Sequence, residues 1–97
     1  MHARVTTFQV QPGKMEEANR ISTESIIPAI RQQAGFKSFY VLEDRNTGKA
    51  VLITLFETEA DMKAGVSSGF VQQQTAKIAS LLAGTPTVEF YEVAFHE

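Results

Sequence analysis

Few side chains in this sequence can do chemistry. There is no cysteine, and the only two histidines, His2 and His96, sit near opposite ends of the chain. The lack of thiols excludes disulfides, thiolate nucleophiles, cysteine-bound zinc and iron–sulfur clusters. Two distant histidines make a poor ligand set, so no metal is expected. What remains are hydroxyl, amide and guanidinium groups: Arg4, Thr6, Tyr40, Thr54, Ser67, Ser68, Gln74 and Tyr91. Such groups can stabilise a substrate anion in a dry, apolar cavity. Tyr40 and Tyr91 can each donate a hydrogen bond to a ligand oxygen, or pack as core or interface tyrosines with the hydroxyl at an edge. Arg4 can stabilise an anion, or stand exposed at a strand end. Glu43, Asp44 and Arg45 precede a turn and read as a solvated hairpin end.

The elements that must position these groups follow from periodicity. Residues 3–10 are β-branched and aromatic, a strand stopped by Pro12-Gly13. From Met15 to Gln33 apolar residues recur at steps of three and four, an amphipathic helix with Glu16 and Glu17 in its first turn. Pro28 falls inside it and predicts a kink, and Gly35 ends it. Phe36 to Asp44 and Ala50 to Phe56 are strands joined by the turn Asn46-Thr47-Gly48. Thr58 is placed to cap a second helix, with Asp61 three residues on. That helix is interrupted by Gly65, Ser67, Ser68 and Gly69, resumes at Phe70, and runs toward Gly84 and Pro86. The Gly65–Gly69 segment reads as a mobile lid or as a simple helix defect. Thr87 to Phe95 is the last strand.

The order is β-α-β-β-α-β over a single domain, 1–97. It predicts an α+β ferredoxin-like sandwich: a four-stranded antiparallel sheet with two helices on one face. The opposite face is informative. Val51, Ile53 and Leu55 point one way, and Leu52 and Phe56 the other. The second strand places Phe36, Tyr40 and Leu42 against Phe39 and Val41. The fourth places Val88 and Phe90 against Tyr91, Val93 and Phe95. Helices cover one face only, and soluble monomers avoid a large bare apolar patch. A homodimer, sheet against sheet, is the expected cover.

The formal net charge is −2 with no basic block, which argues against a nucleic-acid partner. The third strand also lacks the aromatic pattern of an RNA-recognition motif. No apolar run reaches the ~20 residues of a membrane span. Met1 to Val10 shows no signal pattern, so a cytoplasmic setting is expected.

The stretch Val10-Gln11-Pro12-Gly13-Lys14-Met15-Glu16-Glu17 resembles the V-x-P-G-K-x-x-E start of antibiotic biosynthesis monooxygenase (ABM) domains. Ile27-Pro28 then Arg31, Gly35-Phe36, Leu55-Phe56-Glu57-Thr58-Glu59-Ala60 and Ser68-Gly69-Phe70 extend the likeness over nearly the whole chain. The resemblance implies a dimeric β-barrel formed by two ferredoxin-like sheets. It also implies a cofactor-free monooxygenase acting on an aromatic phenol or quinol. The alternative is a non-catalytic dimer that binds a small hydrophobic metabolite. A haem-degrading branch of the family carries Asn, Trp and His at positions that fall at Thr6, near Ala64 or Gly65, and near Gln74, so none of the three is matched. Tyr40, Tyr91, Thr6 and Gln74 are the expected ligand-binding residues, with no catalytic residue assigned.

Overall fold

Strand alternation determines what the helices cover. The computed structural model describes all residues, Met1–Glu97. Strands β1 (His2–Gln9), β2 (Phe36–Asp44), β3 (Lys49–Phe56) and β4 (Thr87–Glu92) form one antiparallel sheet in the order β2-β3-β1-β4. Arg4 of β1 pairs with Thr54 and Phe90, and Thr54 with Phe39, so this row faces one side. The neighbouring row, Tyr40, Ile53, Val5 and Glu89, faces the other. Helices α1 (Met15–Ile21), α2 (Ile27–Arg31), α3 (Glu59–Ser67) and α4 (Phe70–Ala76) complete the α+β ferredoxin-like architecture.

The core lies between helices and sheet. Val10, Ala18, Ile26, Ile30, Ile78, Leu81 and Leu82 form one buried cluster. At the other end of the sheet, Phe56 is fully buried and Met62 nearly so.

Each expected helical stretch is interrupted, and each break has a physical cause. Between α1 and α2 the chain makes a π-helical turn, Ser22–Ile26, in which Ile27 N–H bonds the Ser22 carbonyl five residues back. Pro28, near the start of α2, has no N–H to offer Glu24, and a widened turn before it keeps its ring off that carbonyl. The second stretch breaks at Gly69, whose φ of 84° is left-handed. It then ends at Ala76, short of the expected Gly84. There the chain leaves the helix to meet the end of β1: Gln11 N–H donates to the Leu81 carbonyl at 2.9 Å and Ala83 N–H to the Gln9 carbonyl at 2.7 Å. Thr58 caps α3 as expected, accepting from Asp61 N–H at 3.1 Å.

Two strand expectations are corrected. The β2 register slips by one residue between Phe36 and Ser38, so Phe36 pairs with Phe56 and turns inward, away from Tyr40 and Leu42. Its ring lies 5.9 Å from that of Phe39. β4 ends at Glu92 rather than Phe95: its ladder with β1 stops at the His2–Glu92 pair, after which only Val93 N–H still bonds back, to the Met1 carbonyl at 2.9 Å.

Phe56→Ala should cost about 3–5 kcal/mol in urea unfolding, the usual range for deleting a buried ring. A loss under about 1 kcal/mol would place the core elsewhere.

Candidate functional site

The inward face of the sheet and the helices above it enclose a narrow apolar cleft with two lobes. Phe8, Ile26, Leu52 and Ile78 border both. The first lobe, about 50 Å³, lies under α1 and the π-turn, with Asn19, Ser22 and Glu43 as its polar lining. The second, about 30 Å³, lies under α4, with Arg4, Thr6, Gln74 and Thr75 as its polar lining. The widened π-turn supplies Ser22 and Ile26 to the cleft wall, so the backbone irregularity and the cavity coincide.

Arg4 is the unexpected group. It is not an exposed strand-end arginine: the residue is only 3% exposed. Alternation along β1 turns it inward with Thr6 and Phe8. Its Nη1 donates to the Met62 carbonyl at 3.2 Å, and its Nη2 to Gln33 Oε1 at 3.0 Å. The guanidinium carbon stands 4.9 Å from the centre of the Phe56 ring, a cation–π contact. No carboxylate pairs with it; the ion pairs of the protein are Arg20–Glu24, Lys37–Glu57, Arg45–Glu43 and Lys63–Glu59. Burial pulls the Arg4 pKa down to about 10, so the group is still a cation at neutral pH.

Gly65 makes room for that cation. It lies within α3, not in the break after it, and a Cβ there would overlap the Arg4 guanidinium and crowd Gln33. The expected interruption is thus confined to Ser68-Gly69, while Gly65 serves close approach. The lone Gly in an otherwise ordinary helical run is the signal that could have revealed it.

The four expected ligand-binding residues do not converge. Thr6, 5% exposed, and Gln74 line the second lobe. Gln74 Oε1 is engaged by Lys77 Nζ at 2.6 Å. Tyr40 and Tyr91 lie on the opposite face of the sheet, each about half exposed. The Tyr91 hydroxyl donates to Glu89 Oε2 at 2.9 Å, and that bond and the Glu89 charge hold the phenol above its ordinary pKa. Its proton is therefore already committed. Of the other candidates, Thr54 is buried beside Arg4, whereas Ser67 and Ser68 turn back on the carbonyls of Ala64 and Gly65. Glu43 is not simply a solvated hairpin end. It shares the inward parity of Phe39 and Val41, lines the first lobe, and accepts from Asn19 Nδ2 at 3.2 Å.

The sequence profile of the antibiotic biosynthesis monooxygenase family matches residues 1–76. The chain belongs to that family. Among solved structures, this ABM domain is similar to a Nitrosomonas europaea protein of unknown function, with a TM-score of 0.78 and 19% identity over 99% of this chain and 91% of that one. It is also similar to the Streptomyces coelicolor monooxygenase ActVA-Orf6 in complex with nanaomycin D, with a TM-score of 0.74 and 22% identity over 92% of this chain and 83% of that one. These likenesses concern the fold. By sequence, the uncharacterized Mycobacterium tuberculosis protein Rv2557 is 29% identical over 94 residues, which is 97% of this chain and 41% of that protein. The ABM domain thus spans about two-fifths of the length of the curated relatives it matches.

If Gly65 exists to seat Arg4, a double-mutant cycle should change sign. Gly65→Ala should destabilise the wild type, yet in an Arg4→Leu background it should stabilise by about 0.5–1 kcal/mol, the helix preference for alanine. The same sign in both backgrounds, measured by urea unfolding, would detach Gly65 from Arg4.

Proposed function

We propose that this ABM domain binds a small aromatic phenol or quinol in the helix–sheet cleft and oxidises it with molecular oxygen, without metal or organic cofactor. One observation carries the reading: Arg4, a buried cation without a carboxylate partner in the wall of an apolar cleft. Such a reaction develops negative charge, first on the deprotonated ring and then on oxygen as electrons reach it. A fixed, un-neutralised cation in a low-dielectric wall stabilises that charge without reorganising. The chemistry balances without a reductant. The substrate loses two hydrogens and gains one oxygen atom, the second oxygen leaves as water, and the substrate supplies all the electrons.

Both lobes are narrower than the roughly 150 Å³ that a benzene-sized guest occupies in a protein cavity. A ring must therefore widen the first lobe. Its outer wall is suited to that, since Met15 is half-buried and flexible and Val41 stands on the exposed edge strand. A second reading rests on a different feature: no carboxylate or imidazole lines the Arg4 lobe, and the one carboxylate of the first lobe, Glu43, is already engaged by Asn19 and Arg45. That favours a non-catalytic binding protein for a small hydrophobic metabolite.

Oxygen uptake by the metal-stripped protein on anthrones, naphthols and quinols, with product mass followed in parallel, separates the two. Turnover should appear, and Arg4→Leu should lower it by about a hundredfold or more, the usual effect of removing an oxyanion donor. Saturable binding without uptake would leave the binding protein.

The reading includes a homodimer through the outer sheet face. Tyr40, Leu42 and Tyr91 are each about half exposed there, beside Val5 and Ile53. Ile53→Asp, on one of the two inner strands of that face and away from the helix-side core, should yield a monomer in sedimentation analysis. A variant that kept a dimeric mass would remove this face as the interface.

A further inference from the structure

The lobe beside Arg4 has a size and a charge of its own. At about 30 Å³ it exceeds the roughly 10–15 Å³ that a single water needs, and falls far below what a ring needs. It accommodates two or three heavy atoms. Arginine carries five N–H donors. Here one on Nη1 and one on Nη2 are bonded, each to a neutral oxygen, and Nε has no protein acceptor. Gln33 is the telling neighbour. A carboxylate in its place would sit at ion-pair distance from Nη2, and buried charges are ordinarily paired in that way. The amide instead fixes the guanidinium in position without discharging it. Asp61 lies in the outer groove with Gln33 and Gly65, yet it makes no ion pair with Arg4.

We propose that this lobe is a subsite for a compact monoanion of two or three heavy atoms, with Arg4 as its cation and Gln33 as the positioning residue that keeps the cation un-neutralised. In the monooxygenase reading, on which the identity of the occupant rests, that anion is superoxide. Dioxygen takes one electron from the aromatic anion in the first lobe, which leaves a neutral ring radical, and the new negative charge appears beside Arg4. Recombination forms the carbon–oxygen bond as a peroxide anion. The proton that the substrate loses on ionising passes to the Glu43 carboxylate lining the first lobe; the peroxide takes it back, then loses water to give the quinone.

Azide, a triatomic monoanion, is the probe. At constant ionic strength held with sulfate, azide should raise the melting temperature of the wild-type protein saturably. Gln33→Glu places a carboxylate on Arg4. This variant should melt no lower than wild type in the absence of azide, and bind azide at least about tenfold more weakly, the effect of losing one charge-assisted hydrogen bond. Gln33→Leu removes the amide without adding charge and should retain saturable azide binding. Absence of an azide effect in the wild type, or an equal effect in Gln33→Glu, would overturn the subsite. Oxygen uptake on the phenol panel keeps the two proposals apart. Azide binding that depends on the charge state at position 33, with no uptake on any substrate, would support the subsite and remove superoxide as its occupant.

Discussion

A guanidinium taken out of water without a counter-ion organises the helix side of this molecule. Burying an ion costs several kcal/mol even after relaxation. Here the compensation is partial and entirely neutral: a helix carbonyl, a glutamine amide oxygen and an aromatic face. Each comes from a different element. α3 supplies the Met62 carbonyl and the bare backbone of Gly65, the segment after α2 supplies Gln33, and the end of β3 supplies Phe56. The helices are therefore held at a set height over the sheet by what Arg4 needs. The residual cost is retained as electrostatic potential inside the cleft.

The walls of that cleft are made from irregular backbone. The π-turn precedes Pro28, the left-handed Gly69 separates α3 from α4, and the chain leaves helical geometry after Ala76 to pair with the end of β1. Regular helices packed on a sheet would close such a space, because interiors pack to crystal-like density. A widened turn and a broken helix leave side chains such as Ile26 and Phe70 facing gaps. These interruptions also forgo helical hydrogen bonds, so the two lobes sit in the least regular part of the fold.

The strands, their hairpin and the two-sided apolarity of the sheet could be read directly from the sequence, because a period of two is a local property. The cap at Thr58 and the glycine break were legible for the same reason. The inward turn of Phe36 was not, since a bulge is a property of two paired strands and leaves no mark on one. The early end of the second helical stretch was hidden for a related reason: Leu82 is captured by Val10, far away in sequence. Arg4 was visible as a candidate, but its burial depended on which parity of β1 faces the helices, and Val5 and Thr7 made the other parity equally plausible. Once that parity is known, Thr6 falls beside Arg4. Tyr40 and Tyr91 fall with Ile53 and Ala3 on the far face, where residue type alone could not place them.

The position of β1 between β3 and β4 has a consequence for how the chain can change over time. Arg4 and Thr6 face one side and Ala3 and Val5 the other, so one added or deleted residue in β1 would exchange the two sets at once. Both the cleft and the outer face would be lost in a single step. At the edge, β2 already carries one extra residue and accommodates it as a bulge between Phe36 and Ser38. Descendants of this sequence can therefore vary in length along β2 and its turn, while β1 can vary only by substitution.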